Sequence, residues 1–352
     1  FRGALDVRAT CINEAMKLAA VRSIAELTKE VVPDTVNLAY GEKVITFGPE
    51  YIIPKPLDSR LISVVAPAVA KAAIESGVSQ IKISDFDAYA QELNKRLGLD
   101  NKLVRRITTK AKRQPKRVVF AESEHYKILK AAQEVKDEGI AIPILLGREA
   151  KIKQLIKDNA LDLDDVKIID PKSSEQAAIR DQFGGILFEK RKRKGMTLTE
   201  AQKLMRERNY FGLMMVEQDM ADAFISGISR NYPITLRPAL KIIGTEEGVD
   251  RVAGMFILNT KKGTLFLADT TININPSSRE LANIAMLTAK AVRRFNVVPR
   301  IALLSYSNFG SSLNSNVVRI TEALKIIKET EPNLVVDGEI QADFALNKEK
   351  RE

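Results

Sequence analysis

Small, hydroxyl-bearing residues follow a short apolar run in the last quarter of the chain. Ile301–Leu304 is an unbroken apolar segment, which is typical of a strand buried on both faces of a parallel sheet. The next residues, Ser305–Ser312, are small and polar, so their backbone N–H groups and hydroxyls can approach an anion closely. Open α/β sheets bind ligands at the carboxyl ends of their strands. The stretch therefore predicts either an anion or nucleotide site or an ordinary strand–loop–helix connection.

Other predicted strands end in the same kind of polar residue. These ends are Glu122–His125, Ser226–Arg230, Asp269–Thr271 and Asp337–Asp343. If the strands are parallel, their polar ends converge on one crevice. Arg237 and Arg230 are candidate phosphate ligands because arginine binds phosphate bidentately; the alternative for each is a surface ion pair. Asp343 could orient a reacting group or act as a base, and its alternative is a solvated loop carboxylate.

Composition limits the possible classes of protein. The chain has 352 residues, which suggests two domains, and its 45% hydrophobic content is that of a globular protein. No apolar run approaches the roughly 18 residues of a membrane-spanning helix. The single cysteine, Cys11, excludes an internal disulfide and fits a reducing cytoplasm, where we expect the protein. With His125 as the only histidine, and expected to be exposed, the sequence predicts no metal site.

Two basic runs, Lys110–Arg117 and Lys190–Lys194, contribute to a formal net charge of +10. Such runs occur in nucleic-acid-binding proteins, but here no aromatic residues interleave with them as a stacking platform requires. We therefore interpret them as a solvated linker and a solvated helix face, and expect no nucleic-acid partner. A third interpretation is attraction of an anionic small molecule such as a coenzyme A ester.

Strand and helix patterns alternate from residue 118 to residue 352, which predicts a doubly wound α/β fold. The predicted strands are Val118–Phe120, Ile142–Leu146, Val166–Ile169, Ala223–Ser226, Gly254–Leu258, Thr264–Ala268, Ile301–Ser305 and Leu334–Asp337. The predicted helices are Tyr126–Glu138, Arg148–Asp158, Glu175–Arg191, Thr199–Glu207, Ser278–Phe295 and Asn316–Lys328. Two of the strands, joined by Asn259–Gly263, favour an antiparallel hairpin, so we expect a partly mixed sheet.

Residues 1–97 form a different block, joined to the rest by a basic linker at 98–117. Leu5–Val7 has the pattern of a strand end. Helices are predicted at 13–28, Leu61–Ser76 and Phe86–Leu97. The block has no predicted sheet of its own, so its helices should pack on something else.

Three motifs in this block carry a family resemblance. Phe1–Val7, Ile12–Val21 and Phe47–Pro56 resemble the end of the nucleotide-binding domain of malic enzymes, especially the long bacterial hybrid form. The resemblance implies that residues 1–97 are the helical tail of a Rossmann-type domain. It also implies that the catalytic Tyr and Lys, the acidic metal ligands and the Gly-rich turn lie upstream of Phe1.

Five further motifs resemble phosphate acetyltransferase (phosphotransacetylase). They are Ala221–Gly227, Thr235–Leu240, Asp269–Pro276, Leu304–Ser307 and Val336–Gln341. This resemblance implies two α/β subdomains over 118–352 and a cleft for coenzyme A, acetyl groups and phosphate. The candidate acetyl-CoA and phosphate ligands are Arg237, Ser305, Ser307, Asn308, Ser226 and Arg230. No catalytic residue is expected within this chain, and Asp343 is the one candidate.

This sequence departs from the transferase pattern in three places. The loop before the Leu-Arg-Pro motif reads Ser229–Thr235, without the family's His or Ser followed by Ala-Asp. The loop after Ser307 reads Asn308–Ser312, without the family's Ser-Thr and Gly-Ser-Gly. The chain ends at Glu352, before the Leu-Ser-Arg-Gly segment that carries a catalytic Ser and Arg in that family.

The two resemblances occur in the order found in hybrid malic enzymes, so we expect an internal piece of such an enzyme. The parent would oxidatively decarboxylate malate to pyruvate with NADP (or NAD) and Mg²⁺ or Mn²⁺, bound mainly upstream. The transferase-like domain would bind acetyl-CoA as an effector and help to build a homo-oligomer. This chain alone would be inactive. The alternative is an active phosphate acetyltransferase.

Overall fold

The structure, a computed structural model, describes residues 1–41, 45–96, 102–249, 251–260, 263–312 and 314–351. It divides into two units, Phe1–Ile243 and Gly244–Glu352. Each unit has its own hydrophobic clusters and its own strands. None of the helices in the described ranges has both the length and the apolar character needed to cross a membrane.

The first unit begins with helices and continues with alternating strands and helices. Its helices are α1 (Arg2–Asp6), α2 (Glu14–Lys29), α3 (Asp34–Ala39), α4 (Arg60–Glu75), α5 (Phe86–Arg96), α6 (Lys102–Arg113), α7 (Tyr126–Asp137), α8 (Glu149–Asp158), α9 (Ala177–Arg191), α10 (Leu198–Leu204), α11 (Arg208–Glu217) and α12 (Tyr232–Ile242). Its strands are β1 (Lys116–Phe120), β2 (Ala141–Leu146), β3 (Lys167–Ile169) and β4 (Ala223–Ile225). A single 3₁₀ turn, Lys192–Lys194, extends α9 through the second basic run.

The strand end predicted at Leu5–Val7 is wrong, because α1 occupies Arg2–Asp6. Ala4 and Val7 lie three residues apart and are both buried against Val69 and Ala70 of α4, which is helical spacing. Gly3 permits this close approach. A Cβ on Gly3 would stand 2.1 Å from the carbonyl oxygen of Ala66, so any side chain there would push α1 away from α4.

β1 to β4 form a fully parallel sheet in the order β3-β2-β1-β4. Val119 and Ile144 are paired in register and pack on one face with a cluster that includes Phe211. The adjacent residues Val118 and Leu145 pack on the other face with residues of α7 and α8. Because both faces are buried, the strands are continuous apolar runs, and the predicted α/β fold is confirmed.

The predicted basic linker at 98–117 is largely regular structure. α6 covers Lys102–Arg113 and β1 begins at Lys116, with Pro115 between them. Proline has no backbone N–H and ends the helix at this point. Residues 97–101 lie outside the described ranges. The domain boundaries at 97 and 117 stay predictions.

The second unit contains two strand pairs. β5 (Met255–Thr260) and β6 (Gly263–Ala268) are antiparallel, as the sequence predicts, whereas β7 (Arg300–Leu304) and β8 (Val335–Ile340) are parallel. Its helices are α13 (Ser278–Arg293), α14 (Ser315–Thr330), α15 (Ala342–Leu346) and α16 (Lys348–Arg351). α13 and α14 pack on β7 and β8 around a cluster that includes Ala285, Leu303 and Ile327. The helices therefore hold the carboxyl ends of β7 and β8 in place.

Candidate functional site

The loop after β4, Ser226–Arg230, is hydrogen-bonded to a buried carboxylate that follows the neighbouring strand β1. We call it the β4 loop. Glu122 lies two residues after β1 and is 6% exposed. Its carboxylate accepts hydrogen bonds from the N–H groups of Gly227 (2.7 Å), Ile228 (2.8 Å) and Ser229 (3.1 Å), and from the Ser229 hydroxyl. Consecutive N–H groups turned toward one oxyanion form a backbone nest. In the β4 loop, the protein's own carboxylate occupies that nest.

The environment of Glu122 favours its ionised form. Burial by itself raises the pKa of the Glu122 carboxyl. The hydrogen bonds from the Ser229 hydroxyl and the three N–H groups outweigh that effect, so the pKa of Glu122 lies below its usual value of 4.5. The carboxylate therefore stays charged at neutral pH and keeps the β4 loop closed.

The two predicted ligands in the β4 loop are both engaged within the first unit. The Ser226 hydroxyl donates to Oδ1 of Asn209 at 3.0 Å, and Asn209 is itself buried. Arg230 forms an ion pair with Glu207 at 3.6 Å, which is the alternative stated for it above. Asn209 Nδ2 is buried and has no hydrogen-bond partner among the described residues.

Arg237 lies in α12, seven residues beyond Arg230. It precedes Pro238 inside the helix, and its side chain is exposed. Within the described part of the chain, its guanidinium has no ion-pair or hydrogen-bond partner. Arg237 is therefore free to bind an anion, whereas Arg230 must first leave Glu207.

The loop after β7, Ser305–Ser312, is also organised by a buried carboxylate; we call it the β7 loop. Glu339 in β8 is 2% exposed. It accepts hydrogen bonds from the N–H of Gly310 (2.7 Å) and from the hydroxyls of Ser307 (3.3 Å) and Thr321 (3.2 Å). Thr321 belongs to α14, so one carboxylate joins the loop, β8 and the following helix.

The predicted ligands of the β7 loop differ in their exposure. Ser307 is 3% exposed, and its hydroxyl contacts Ser311 at 2.8 Å as well as Glu339. Ser305 is half-buried, and its oxygen accepts the Ser307 N–H at 3.2 Å. Ser307 thus supports the loop from inside, while the Ser305 hydroxyl keeps its proton available as a donor.

Asn308 is locked to the residue that follows β8. Its side-chain N–H₂ group donates to Oε1 of Gln341 at 3.0 Å, and its side-chain oxygen accepts the Gln341 N–H at 2.8 Å. The N–H of Ser305 donates to the carbonyl of Ile340 at 3.0 Å. Ser305, Ser307 and Asn308 are therefore brought together at the carboxyl ends of β7 and β8.

Asp343, the candidate catalytic residue, is the second residue of α15 and forms an ion pair with Lys350 at 2.6 Å. The hydrogen bond from Lys350 lowers the pKa of the Asp343 carboxyl below its usual value of 3.8. A general base works best with a pKa near the operating pH, and Asp343 is shifted away from it. His125 is exposed, as expected, and accepts the Lys127 N–H at the start of α7.

Sequence reasoning missed the two carboxylates that organise these loops. Glu122 and Glu339 both lie within the polar strand ends that the sequence pattern identifies. Only serine, asparagine and arginine residues are predicted as ligands from these segments. Glu122 directly follows the apolar run Val118–Ala121, and Glu339 lies three residues after Val336, so an acidic residue next to a buried apolar run is the available signal. The partner loop lies 105 to 107 residues away for Glu122, a separation that no local pattern shows.

The described residues contain no group of three His, Cys, Asp or Glu side chains arranged to hold a metal ion. The sequence also has no Gly-rich dinucleotide turn. The described residues therefore offer no cluster that fits a catalytic metal, and the sequence offers no turn of this kind for a nicotinamide cofactor.

Comparisons with known proteins show the family to which the chain belongs. A family model described as phosphate acetyl/butaryl transferase matches residues 102–352. The chain belongs to this family. The solved phosphotransacetylase from Streptococcus pyogenes has a TM-score of 0.63 and 33% identity, covering 71% of this chain and 75% of that one.

Curated relatives extend the similarity to the rest of the chain. The NADP-dependent malic enzyme of Escherichia coli (strain K12) is 42% identical over 350 residues, which is 98% of this chain and 46% of that protein. The phosphate acetyltransferase of Clostridium acetobutylicum is 36% identical over 254 residues, or 70% of this chain and 75% of that protein. The chain thus spans about half the length of the malic enzymes it matches. Both resemblances recognised in the sequence are confirmed.

Proposed function

We propose that this chain is part of an NADP-dependent malic enzyme, which oxidatively decarboxylates malate to pyruvate and CO₂. One observation carries the proposal: the similarity to a malic enzyme covers 98% of the chain, whereas the transferase family match begins only at residue 102. The helices α1 to α5 are therefore shared with malic enzymes and lie outside the transferase family match. NADP (or NAD) and Mg²⁺ or Mn²⁺ would bind mainly to residues upstream of this chain.

The transferase-like part would bind acetyl-CoA as a regulatory ligand and contribute to a homo-oligomer in the cytoplasm. Membership of an acyltransferase family supports acetyl-CoA binding. Each unit, taken by itself, also offers a candidate contact: in the first the exposed Arg237 guanidinium, which has no partner among the described residues, and in the second the hydroxyl of Ser305. An effector that changes the affinity for malate must itself be bound more or less tightly when malate is present, because coupling between binding sites is reciprocal.

Active phosphate acetyl transfer is the second candidate, favoured by the 36% identity to a phosphate acetyltransferase over 75% of that protein. The β4 and β7 loops depart from the transferase pattern at Ser229–Thr235 and Asn308–Ser312. In this structure Ser229 donates to Glu122 and Asn308 is paired with Gln341. Both residues thus make contacts within the protein. We therefore favour a regulatory acetyl-CoA site over active acetyl transfer.

Calorimetric titration of the chain with acetyl-CoA, with and without phosphate, tests the proposal, and acetyl phosphate is assayed in the same samples. Saturable binding without acetyl phosphate supports the regulatory function. Binding with turnover would replace it by the transferase function. No binding at all would contradict both functions for this chain.

Arg237→Ala should weaken acetyl-CoA binding by about 10- to 150-fold, the effect of losing one charged hydrogen bond. Arg22→Ala is the matched control, because Arg22 is also exposed on a helix of the first unit and has no described partner. If both variants bind like the parent chain, Arg237 does not contact the ligand.

A further inference from the structure

A cleft at the carboxyl ends of β1, β2 and β3 contains none of the ligands predicted above. It has a volume of about 220 Å³ and is lined by Glu124, Arg148, Asp170, Lys172, Arg206 and Arg208; we call it the basic cleft. Glu124 follows β1, Arg148 follows β2, and Asp170 follows β3 directly. The parallel sheet thus places side chains from three successive strand ends around one concavity.

The charges of the basic cleft are unequal. Four cationic side chains face two carboxylates, which leaves a formal charge of +2. The Asp170 carboxylate accepts the backbone N–H of Lys172 at 2.9 Å. Within the described residues, the Lys172 ammonium and the Arg206 guanidinium form no side-chain ion pair or hydrogen bond. Two cations without a partner among the described residues therefore line a concave surface, and an additional anion would be needed to balance them.

Glu124 shows how an oxyanion is held at the edge of the basic cleft. Its carboxylate accepts the Arg148 backbone N–H (3.1 Å) and the Arg148 guanidinium (2.8 Å), and it lies 3.3 Å from the Lys151 ammonium and 3.6 Å from Arg208. The hydrogen bond from the Arg148 side chain is the main reason that the pKa of Glu124 falls to about 2. A negative charge is thus stable where α8 begins, in agreement with the helix dipole.

We propose that the basic cleft is a binding site for a small phosphate-bearing anion, with Arg206 and Lys172 as direct ligands and Arg208 shared with Glu124. Guanidinium groups bind phosphate bidentately, and an ammonium adds a point charge. Drug-sized ligands occupy cavities of about 300–1,000 Å³, so this smaller volume selects inorganic phosphate or a small phosphomonoester. This proposal does not depend on the malic enzyme assignment.

The test uses the whole chain and two probes, inorganic phosphate and glycerol phosphate, each titrated at constant ionic strength and followed by ³¹P NMR. Saturable shifts are expected with at least one probe. Tighter binding of glycerol phosphate would identify a phosphomonoester site, and tighter binding of phosphate would identify a site for the free ion. No saturation with either probe would overturn the proposal.

The double variant Lys172→Ala/Arg206→Ala should weaken binding at least about tenfold. Arg22→Ala/Lys29→Ala removes the same charge from the exposed surface of α2 and should leave binding within about twofold of the parent chain, because neither residue lines the basic cleft and salt screens exposed charges. If Arg237→Ala abolishes binding while the double variant retains it, phosphate binds elsewhere and the proposal is wrong.

Glu124→Gln provides an independent test, because it keeps an acceptor oxygen and removes the negative charge. Arg208 and Lys151 then lose their charged partner, so phosphate should bind several-fold more tightly. Weaker binding by this variant, with the fold verified by circular dichroism, would contradict the proposed sharing of Arg208.

Discussion

The β4 loop and the β7 loop are each held by a buried glutamate, but the two glutamates accept hydrogen bonds from different kinds of donor. In each, a buried glutamate at the end of one parallel strand closes a Ser/Gly loop that follows the neighbouring strand. Glu122 receives three consecutive backbone N–H groups and one hydroxyl, all from the β4 loop. Glu339 receives one N–H and two hydroxyls, from the β7 loop and from α14.

The difference lies in which part of the chain supplies the donors. Backbone donors are present whatever the side chains are, so the β4 loop depends mainly on the charge of Glu122. Hydroxyl donors disappear with their side chains, so the β7 loop depends on Ser307 and Thr321 as much as on Glu339. Buried polar networks of this kind are stable only when each member is satisfied. The β4 loop should therefore be the more sensitive of the two to loss of its carboxylate.

Glu122→Ala should have the largest effect and lower the free energy of unfolding of the first unit by about 3 kcal/mol, because it leaves three N–H groups without their charged acceptor. Urea unfolding measures the loss, and hydrogen exchange should accelerate at residues 227–229. Glu26→Ala, an exposed glutamate on α2, is the control and should change stability by less than about 0.5 kcal/mol. An unchanged exchange rate at 227–229 would show that Glu122 does not hold the β4 loop.

Glu339→Ala should cost less, about 2 kcal/mol, because only one backbone N–H loses its acceptor and the two hydroxyls can rotate to other partners. Hydrogen exchange at Gly310 is the direct measurement, since its N–H donates to Glu339. Thr321→Val removes one of the hydroxyls alone and should have roughly half this effect. A larger loss for Glu339→Ala than for Glu122→Ala would reverse the comparison between the two loops.

The pH dependence of the β4 loop should be the smallest of these effects, because a protonated Glu122 still has an oxygen that can accept hydrogen bonds. Because the pKa of Glu122 is below 4.5 in the folded chain, its contribution is complete above pH 4.5 and is lost as the pH falls through the folded value. The parent chain and Glu122→Gln should therefore differ most in stability at neutral pH and converge in acid. A difference that is constant from pH 7 to about pH 3 would show that Glu122 acts without its charge.

Much of the fold could be predicted because buried parallel strands are short apolar runs. All eight strands found in the described ranges were predicted to within a few residues, as was the β5–β6 hairpin. α6 was missed because its lysines and arginines suggested a linker, although Leu103, Val104 and Ile107 have helical spacing. α11 and α12 were not predicted either, although Asn231 followed by Pro233 is a helix-start signature for α12.

The positions of the two loops could be predicted from the sequence, but the hydrogen bonds that hold them could not. Ser226 and Ser307 are predicted as ligands from their residue type and from the resemblance to phosphate acetyltransferase, and the structure gives both of them partners inside the protein. Whether a serine faces a ligand or a buried glutamate depends on contacts between segments far apart in the chain. Their roles as ligands stay predictions.

One buried lysine determines where a shortened form of the chain can begin. Lys130 of α7 lies within the part matched by the transferase family, is 7% exposed, and donates to the carbonyl of Val32, which precedes that part. Val31 packs against the same cluster as Leu129. A shortened chain that starts at residue 102 would lose the carbonyl that accepts from this ammonium and would uncover the apolar surface around it. The start of the family match is therefore a poor place to cut, and an expression boundary for the transferase-like part should retain residues 31 and 32.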